Sequence, residues 1–259
     1  MRPIGVFDSG VGGLTVVRAL RRRLPAEAVL YLGDTARLPY GTKSPETVAR
    51  YTQRNVDLLL ERGVKGVVVA CNTASAVALP RLASPVPVWG VIEPGARRAA
   101  AASAGRVGVV GTESTIRSDA YGEALRRLRP GLEVASEACP LFVPLVEEGW
   151  LDDPVTERVA ERYLAPLVAR GIDTLVLGCT HYPLLAPLLT RLLGPGVGLV
   201  DSGEAVAEQL AGDLARAGLL ASGRRGEDHF LVTDAAERFG QLAGRILGGA
   251  VSLELVEVI

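Results

Sequence analysis

Two stretches of this chain align without a gap: Arg62-Gly63-Val64-Lys65-Gly66-Val67-Val68-Val69-Ala70-Cys71 on Arg170-Gly171-Ile172-Asp173-Thr174-Leu175-Val176-Leu177-Gly178-Cys179. Each reads as the end of a helix, a glycine stop, a buried strand and then a cysteine. Upstream of each lies another apolar run that opens into a polar loop, Ile4-Gly5-Val6-Phe7-Asp8-Ser9-Gly10 before the first and Val107-Gly108-Val109-Val110-Gly111-Thr112 before the second. The repeat predicts two related lobes, each presenting a cysteine at the carboxyl end of a strand, which is where open α/β sheets bind ligands.

Around the repeat, short β-branched runs alternate with amphipathic stretches such as Leu14–Leu24 and Ser44–Gly63. That alternation predicts an α/β fold of two pseudo-symmetric, doubly wound lobes with mainly parallel sheets and the active site between them. With 259 residues, 48% of them hydrophobic, the chain can fill two such cores, and disorder is excluded on composition. No apolar run reaches the ~18 to 20 residues of a membrane span, and the opening Met1–Gly10 reads as a strand rather than an export signal. The expected location is therefore the cytoplasm, with no membrane partner. A net charge of −1 and scattered arginines give no basic face for nucleic acid, so the expected partner is a small molecule. The three cysteines, Cys71, Cys139 and Cys179, are far apart and odd in number, which suits free thiols rather than disulfides or a zinc cluster.

Cys71 is followed by Asn72, Thr73 and Ser75, and Cys179 by Thr180, His181, Tyr182 and Pro183, each leading into a helical run. Both sulfurs are thus expected near helix N-termini, where backbone N–H groups depress a thiol pKa. Two facing thiols can do what one cannot: a base on one face of a carbon removes its proton and an acid on the other face returns one, which inverts the centre without a cofactor. Charge that builds on a substrate carboxylate needs preplaced donors, for which Ser9, Asn72, Thr73, Thr112, Thr115 and Thr180 are candidates. Asp8 could receive an ammonium group or tune a thiol, and His181 could polarise Cys179. Cys139, in Glu137-Ala138-Cys139-Pro140, has no matched partner and reads as structural; His229 has no context that suggests a role.

The chain closely resembles the glutamate racemase family of the aspartate/glutamate racemase superfamily. The matching motifs are Gly5-Val6-Phe7-Asp8-Ser9-Gly10-Val11-Gly12-Gly13-Leu14, Gly33-Asp34-Thr35-Ala36 with Pro39-Tyr40-Gly41, Cys71-Asn72-Thr73-Ala74-Ser75, Gly111-Thr112 with Thr115, Cys139-Pro140-Leu141 and Gly178-Cys179-Thr180-His181-Tyr182-Pro183. The resemblance implies interconversion of L- and D-glutamate to supply D-glutamate for peptidoglycan, with Cys71 acting on the D enantiomer and Cys179 on the L enantiomer. It implies substrate contacts at Asp8, Ser9, Tyr40, Gly41, Asn72, Thr73, Thr112, Thr115, Thr180 and His181. Assistance to the thiols is implied for Asp8, His181 and Glu147, although Glu148 adjoins Glu147. It further implies a first lobe of residues 1–92 plus 204–259, a second of residues 93–203, a homodimer, and neither cofactor nor metal.

Three other readings compete. Aspartate or hydantoin racemases of the same superfamily share a two-thiol reaction at Cα and differ in the side chain they read. A nucleotide-binding module is suggested by Gly10-Val11-Gly12-Gly13 after a strand, but the third glycine of a dinucleotide fingerprint is missing, and Gly41-Thr42-Lys43-Ser44 breaks the adjacent Gly-Lys of a P-loop. A metal site from the cysteines and histidines lacks zinc spacing and would quench the thiolates as bases.

Overall fold

The computed structural model describes residues 2–223 and 226–258; Met1, Arg224, Arg225 and Ile259, which fall within the expected first lobe, lie outside the described residues. In chain order the elements are β1 (Ile4–Asp8), α1 (Leu14–Arg23), β2 (Val29–Gly33), α2 (Pro45–Glu61), β3 (Gly66–Val69), α3 (Asn72–Val77), β4 (Val88–Gly90) and α4 (Ile92–Ala102). Next come β5 (Arg106–Gly111), α5 (Glu113–Arg117), α6 (Ala120–Leu128), β6 (Glu133–Ala138), α7 (Phe142–Glu147), α8 (Pro154–Ala169), β7 (Thr174–Gly178), α9 (Ala186–Leu193) and β8 (Gly198–Asp201). The chain finishes with α10 (Ser202–Arg216), β9 (His229–Val232), α11 (Ala236–Leu247) and β10 (Leu253–Leu255). Among the described residues no helix is long and apolar enough to cross a membrane.

The strands form two sheets, of order β10-β9-β2-β1-β3-β4 and β6-β5-β7-β8. Every strand pairing in them is parallel. Without β9 and β10 the first sheet runs β2-β1-β3-β4, the order of the second, so the repeat in the sequence is a repeat of topology in which β3 corresponds to β7. In each sheet the chain leaves the first strand toward one side and returns on the other. That reversal opens a crevice at the carboxyl edge, between β1 and β3 in one lobe and between β5 and β7 in the other.

Sequence explains these elements locally. Strands β1, β2, β3 and β7 are buried along their whole length, which is why they are continuous apolar runs rather than alternating ones. Ser44 caps α2 and Asp153 caps α8, each followed by proline at the first helical position, and Asp201 caps α10 by accepting from Gly203 and Glu204 N–H. The glycine stops of the repeat, Gly63 and Gly171, both take positive φ, +77° and +65°.

Helices cover both faces of each sheet. Leu14, Val17 and Leu20 of α1, Val206 and Leu210 of α10, and Phe239 and Ala243 of α11 pack on Val6, Tyr31 and Val68. On the second sheet, Ile92, Ala96 and Ala99 of α4 and Leu125 of α6 lie on Val107, Val109 and Val176, while Leu164, Leu167, Leu188 and Leu189 cover the far face. Each buried leucine, isoleucine or valine among them contributes about 1.5–3 kcal/mol. Helices α4 and α10 pack side by side, with the inner face of α4 in the core of the second sheet and that of α10 in the core of the first.

Candidate active site

Asp8 ends β1 and is fully buried. Its Oδ2 accepts the Gly10 N–H at 2.9 Å and its Oδ1 the Thr180 hydroxyl at 3.3 Å. Burial raises its carboxyl above the usual range, opposed by His181, the Gly10 and Gly13 N–H groups and Thr180. Cys71 stands at the N-cap of α3, 5% exposed, with Sγ 3.5 Å from Ser9 Oγ. Its thiol departs from the sequence expectation. Burial, reinforced by the charge of Asp8, pushes it up to about 12, and the N–H of Ala74 in the first turn of α3 acts in the expected direction but is outweighed. Lost hydration dominates because the sulfur is enclosed rather than presented to solvent.

Cys179 directly follows β7. Its Sγ is 3.8 Å from His181 Nδ1, and His181 Nε2 is 3.2 Å from Glu147 Oε1. Burial alone would lower the imidazole pKa, but hydrogen bonds to Cys179 and Glu147 more than reverse that and hold it at about 10. The same contact with His181 holds the Glu147 carboxyl below its usual range. At neutral pH the ring is therefore an imidazolium, a donor at both nitrogens, with the Glu147 carboxylate on one side and the Cys179 sulfur on the other. Glu148, by contrast, is 60% exposed and pairs with Arg238 at 3.1 Å, so Glu147 is the one of the pair that meets His181. Cys139 is fully buried beneath this group; its carbonyl accepts the Tyr182 hydroxyl at 2.7 Å, and burial raises its thiol.

Three hydroxyls meet across the two lobes. Thr73 Oγ1 is 2.8 Å from Thr112 Oγ1 and 3.3 Å from Thr115 Oγ1, and Thr112 and Thr115 are 3.0 Å apart. Such a triangle can turn its protons outward toward an anion. Gly41 abuts it, since a Cβ there would stand 2.9 Å from Thr112 Cβ. Tyr40 is locked behind Gly41 by donating to the fully buried Asp34. Asp34 also accepts from Arg37 at 2.8 Å, Asn55 at 3.1 Å and Thr233 at 3.1 Å. Asn72 is buried, its Nδ2 3.4 Å from Ser202 Oγ and its Oδ1 accepting from Tyr121 at 2.7 Å. The Thr180 carbonyl accepts the Thr15 hydroxyl at 2.9 Å, a direct tie between lobes.

The residues singled out in the sequence thus gather where the carboxyl edges of the two sheets meet, whereas His229 is exposed at the start of β9. Thr15, Tyr121, Ser202 and Arg238 also touch this group and carry no chemical signature in the sequence. Two thiols, an imidazolium, a buried carboxylate and a hydroxyl triangle make an acid/base site that can bind an anion. Residues 4–210 match a family model described as Asp/Glu/Hydantoin racemase.

This chain belongs to that family.

The racemase is 53% identical over 253 residues to a glutamate racemase from Geobacter metallireducens, covering 96% of this chain and 93% of that one. Its fold superposes on the crystal structure of a glutamate racemase isoform from Bacillus anthracis with a TM-score of 0.96 at 41% identity, covering 99% of this chain and 98% of the other. Against a Francisella tularensis glutamate racemase, whose structure is a complex with D-glutamate, the TM-score is 0.93 at 37% identity, with 99% and 98% of the two chains covered. These likenesses make the protein an amino-acid racemase, an isomerase of α/β fold.

Proposed function

We propose that this racemase interconverts L- and D-glutamate by moving the α-proton between two thiols, and that its product supplies D-glutamate for peptidoglycan synthesis. The observation that carries the reading is the pair of thiols at corresponding strand ends of the two repeated sheets, in a chain 53% identical to a glutamate racemase. The environments of the thiols support distinct resting roles. The Cys71 thiol, pushed up to about 12, is the acid, and Cys179, beside the His181 imidazolium, is the base.

With L-glutamate bound, the Cys179 sulfur takes the α-proton while Cys71 delivers its own proton to the opposite face of Cα. The products are D-glutamate, a Cys179 thiol and a Cys71 thiolate, so the proton count balances. D-Glutamate then uses the pair in reverse, or solvent exchange restores it. The two sulfurs supply both acid and base, and the transfer requires no cofactor. Asp8 and His181 with Glu147 assist the sulfurs, while Ser9, Tyr40, Gly41, Asn72, Thr73, Thr112, Thr115 and Thr180 hold the substrate. Support for the substrate contacts comes from their convergence on one seam and from the hydroxyl triangle, whose protons can turn to meet charge developing on a carboxylate.

The reading includes two lobes, residues 1–92 plus 204–259 and residues 93–203. Membership of α4 in one core and α10 in the other supports these limits. It also includes a cytoplasmic homodimer, which light scattering on the eluted protein tests. The decisive experiment is incubation of reduced enzyme with L-glutamate in D₂O without added cofactor. Loss of optical rotation together with deuterium at Cα is expected, and inertness toward both glutamate enantiomers, or faster turnover of aspartate, overturns the substrate.

A further inference from the structure

Tyr121, on α6, is 2% exposed and lies between the two thiol-bearing loops. Its hydroxyl donates to Asn72 Oδ1 at 2.7 Å, and Asn72 is the residue after Cys71. A Cβ added to Gly178, the residue before Cys179, would meet Tyr121 Cε2 at 3.2 Å, so the ring rests on the backbone that delivers the second sulfur. On α4, a Cβ at Gly95 would meet Tyr121 Cε1 and the hydroxyl, each at 3.2 Å. One ring therefore contacts the chain beside each cysteine and the helix that joins the lobes.

The consequence falls on the Asn72 amide. Its Oδ1 is taken by Tyr121, and one of its two N–H bonds can go to Ser202 Oγ at 3.4 Å, which leaves the other for the cleft. Without the phenol, Oδ1 would be a buried acceptor with no donor, and the amide would rotate to find one. We infer that Tyr121 is a positioning residue of the racemase: its hydroxyl fixes the amide of Asn72 toward substrate, and its ring sets the spacing of the Cys71 and Cys179 loops. The inference rests on the reading of Cys71, Cys179 and Asn72 given above.

Tyr121→Phe keeps the ring and removes only the hydroxyl. The two enantiomers of glutamate have equal free energy, so kcat/KM must fall by the same factor in both directions. The expected split is a rise of about tenfold in KM for each enantiomer, from one unpaired buried acceptor, with kcat within about threefold of wild type. In an Asn72→Ala background the same change should alter KM by less than about twofold, because the group it acts through is gone. An unchanged KM, or a KM rise that persists without Asn72, overturns the inference. A general loss of stability would lower the melting temperature without this dependence on Asn72. If Tyr121→Phe does not fold, Gly95→Ala crowds the hydroxyl from the other side; it should raise KM severalfold, and an unchanged KM there overturns the inference equally. Wild-type enzyme assayed in parallel separates the two readings: wild type inert toward glutamate defeats the functional reading, whereas active wild type with unaltered variants defeats only the role of Tyr121.

Discussion

Alanine at Gly12 drives a methyl group into the seam between the lobes. The new carbon would stand 2.4 Å from His181 Nδ1, 2.4 Å from Thr180 Oγ1 and 2.6 Å from His181 Cε1. Ordinary contacts need about 3.5 Å, so a displacement of ~1 Å is unavoidable. Neither neighbour can yield cheaply. The His181 ring is held by Glu147 at 3.2 Å and Cys179 at 3.8 Å, and Thr180 by Asp8 at 3.3 Å through its hydroxyl and by Thr15 at 2.9 Å through its carbonyl. A misplacement of ~1 Å in a positioned group costs about 100-fold in rate, or ~2.7 kcal/mol of barrier. Overpacking should remove a further ~1–3 kcal/mol of stability. Initial rates with each enantiomer, followed by circular dichroism beside a thermal melt, read both effects. Gly63→Ala is the control. Its φ is +77° with nothing within 4 Å of an added Cβ, so ~1–2 kcal/mol of stability should go while activity stays. A Gly12→Ala enzyme within about threefold of wild-type kcat/KM would refute the claim that this close approach sets the geometry of His181.

Cys71→Ala and Cys179→Ala should each abolish racemisation in a folded protein, measured by polarimetry, whereas Cys139→Ala should leave kcat and KM nearly unchanged; appreciable turnover by either of the first two would refute the two-thiol reaction. Glu147→Gln should move the alkaline limb of kcat/KM, expected near the His181 value of about 10, to lower pH, because the lost carboxylate no longer helps hold the imidazolium. The sign carries over to stability: His181 is raised from 6.5, so its contribution is full below about pH 6.5 and is lost as pH rises through about 10. Melting temperatures across that window check it. Asp34→Ala should cost about 3–5 kcal/mol in a denaturant titration, since Arg37, Tyr40, Asn55 and Thr233 all lose the same buried carboxylate.

The two thiols were legible in the sequence because a glycine stop, a buried strand and a cysteine recur without a gap, and repeated local wording produces repeated topology. The hydroxyl and amide residues beside them were legible because they are polar where a strand ends. The proposed role of Glu147 entered through family resemblance: one turn of helix carries Glu147 and Glu148, and only the three-dimensional approach of His181 distinguishes them. Tyr121 gave no signal, because a tyrosine on the inner face of an amphipathic helix reads as core. The raised thiol of Cys71 also lay beyond the sequence. A helix N-terminus can be read from a cap, but the degree of enclosure that outweighs it belongs to the closed pair of lobes. Pairing of β9 with β2 was equally hidden, since periodicity marks a strand without naming its neighbour.

That pairing also orders events during synthesis. Val29 N–H bonds to Asp228, 199 residues later, just ahead of the register that sets Tyr31 beside Phe230. At ~5–20 residues per second, β2 leaves the ribosome about 10–40 s before the strand that covers its outer edge. The second sheet, with all its strands between Arg106 and Asp201, has every partner in hand by then. The sheet begun first is therefore finished last, and in the interval β2 presents an open ladder of backbone donors and acceptors beside buried-type side chains, the kind of edge that pairs with a neighbouring nascent chain. Slowing translation between Asp201 and His229 lengthens that exposure without altering a single residue of the active site.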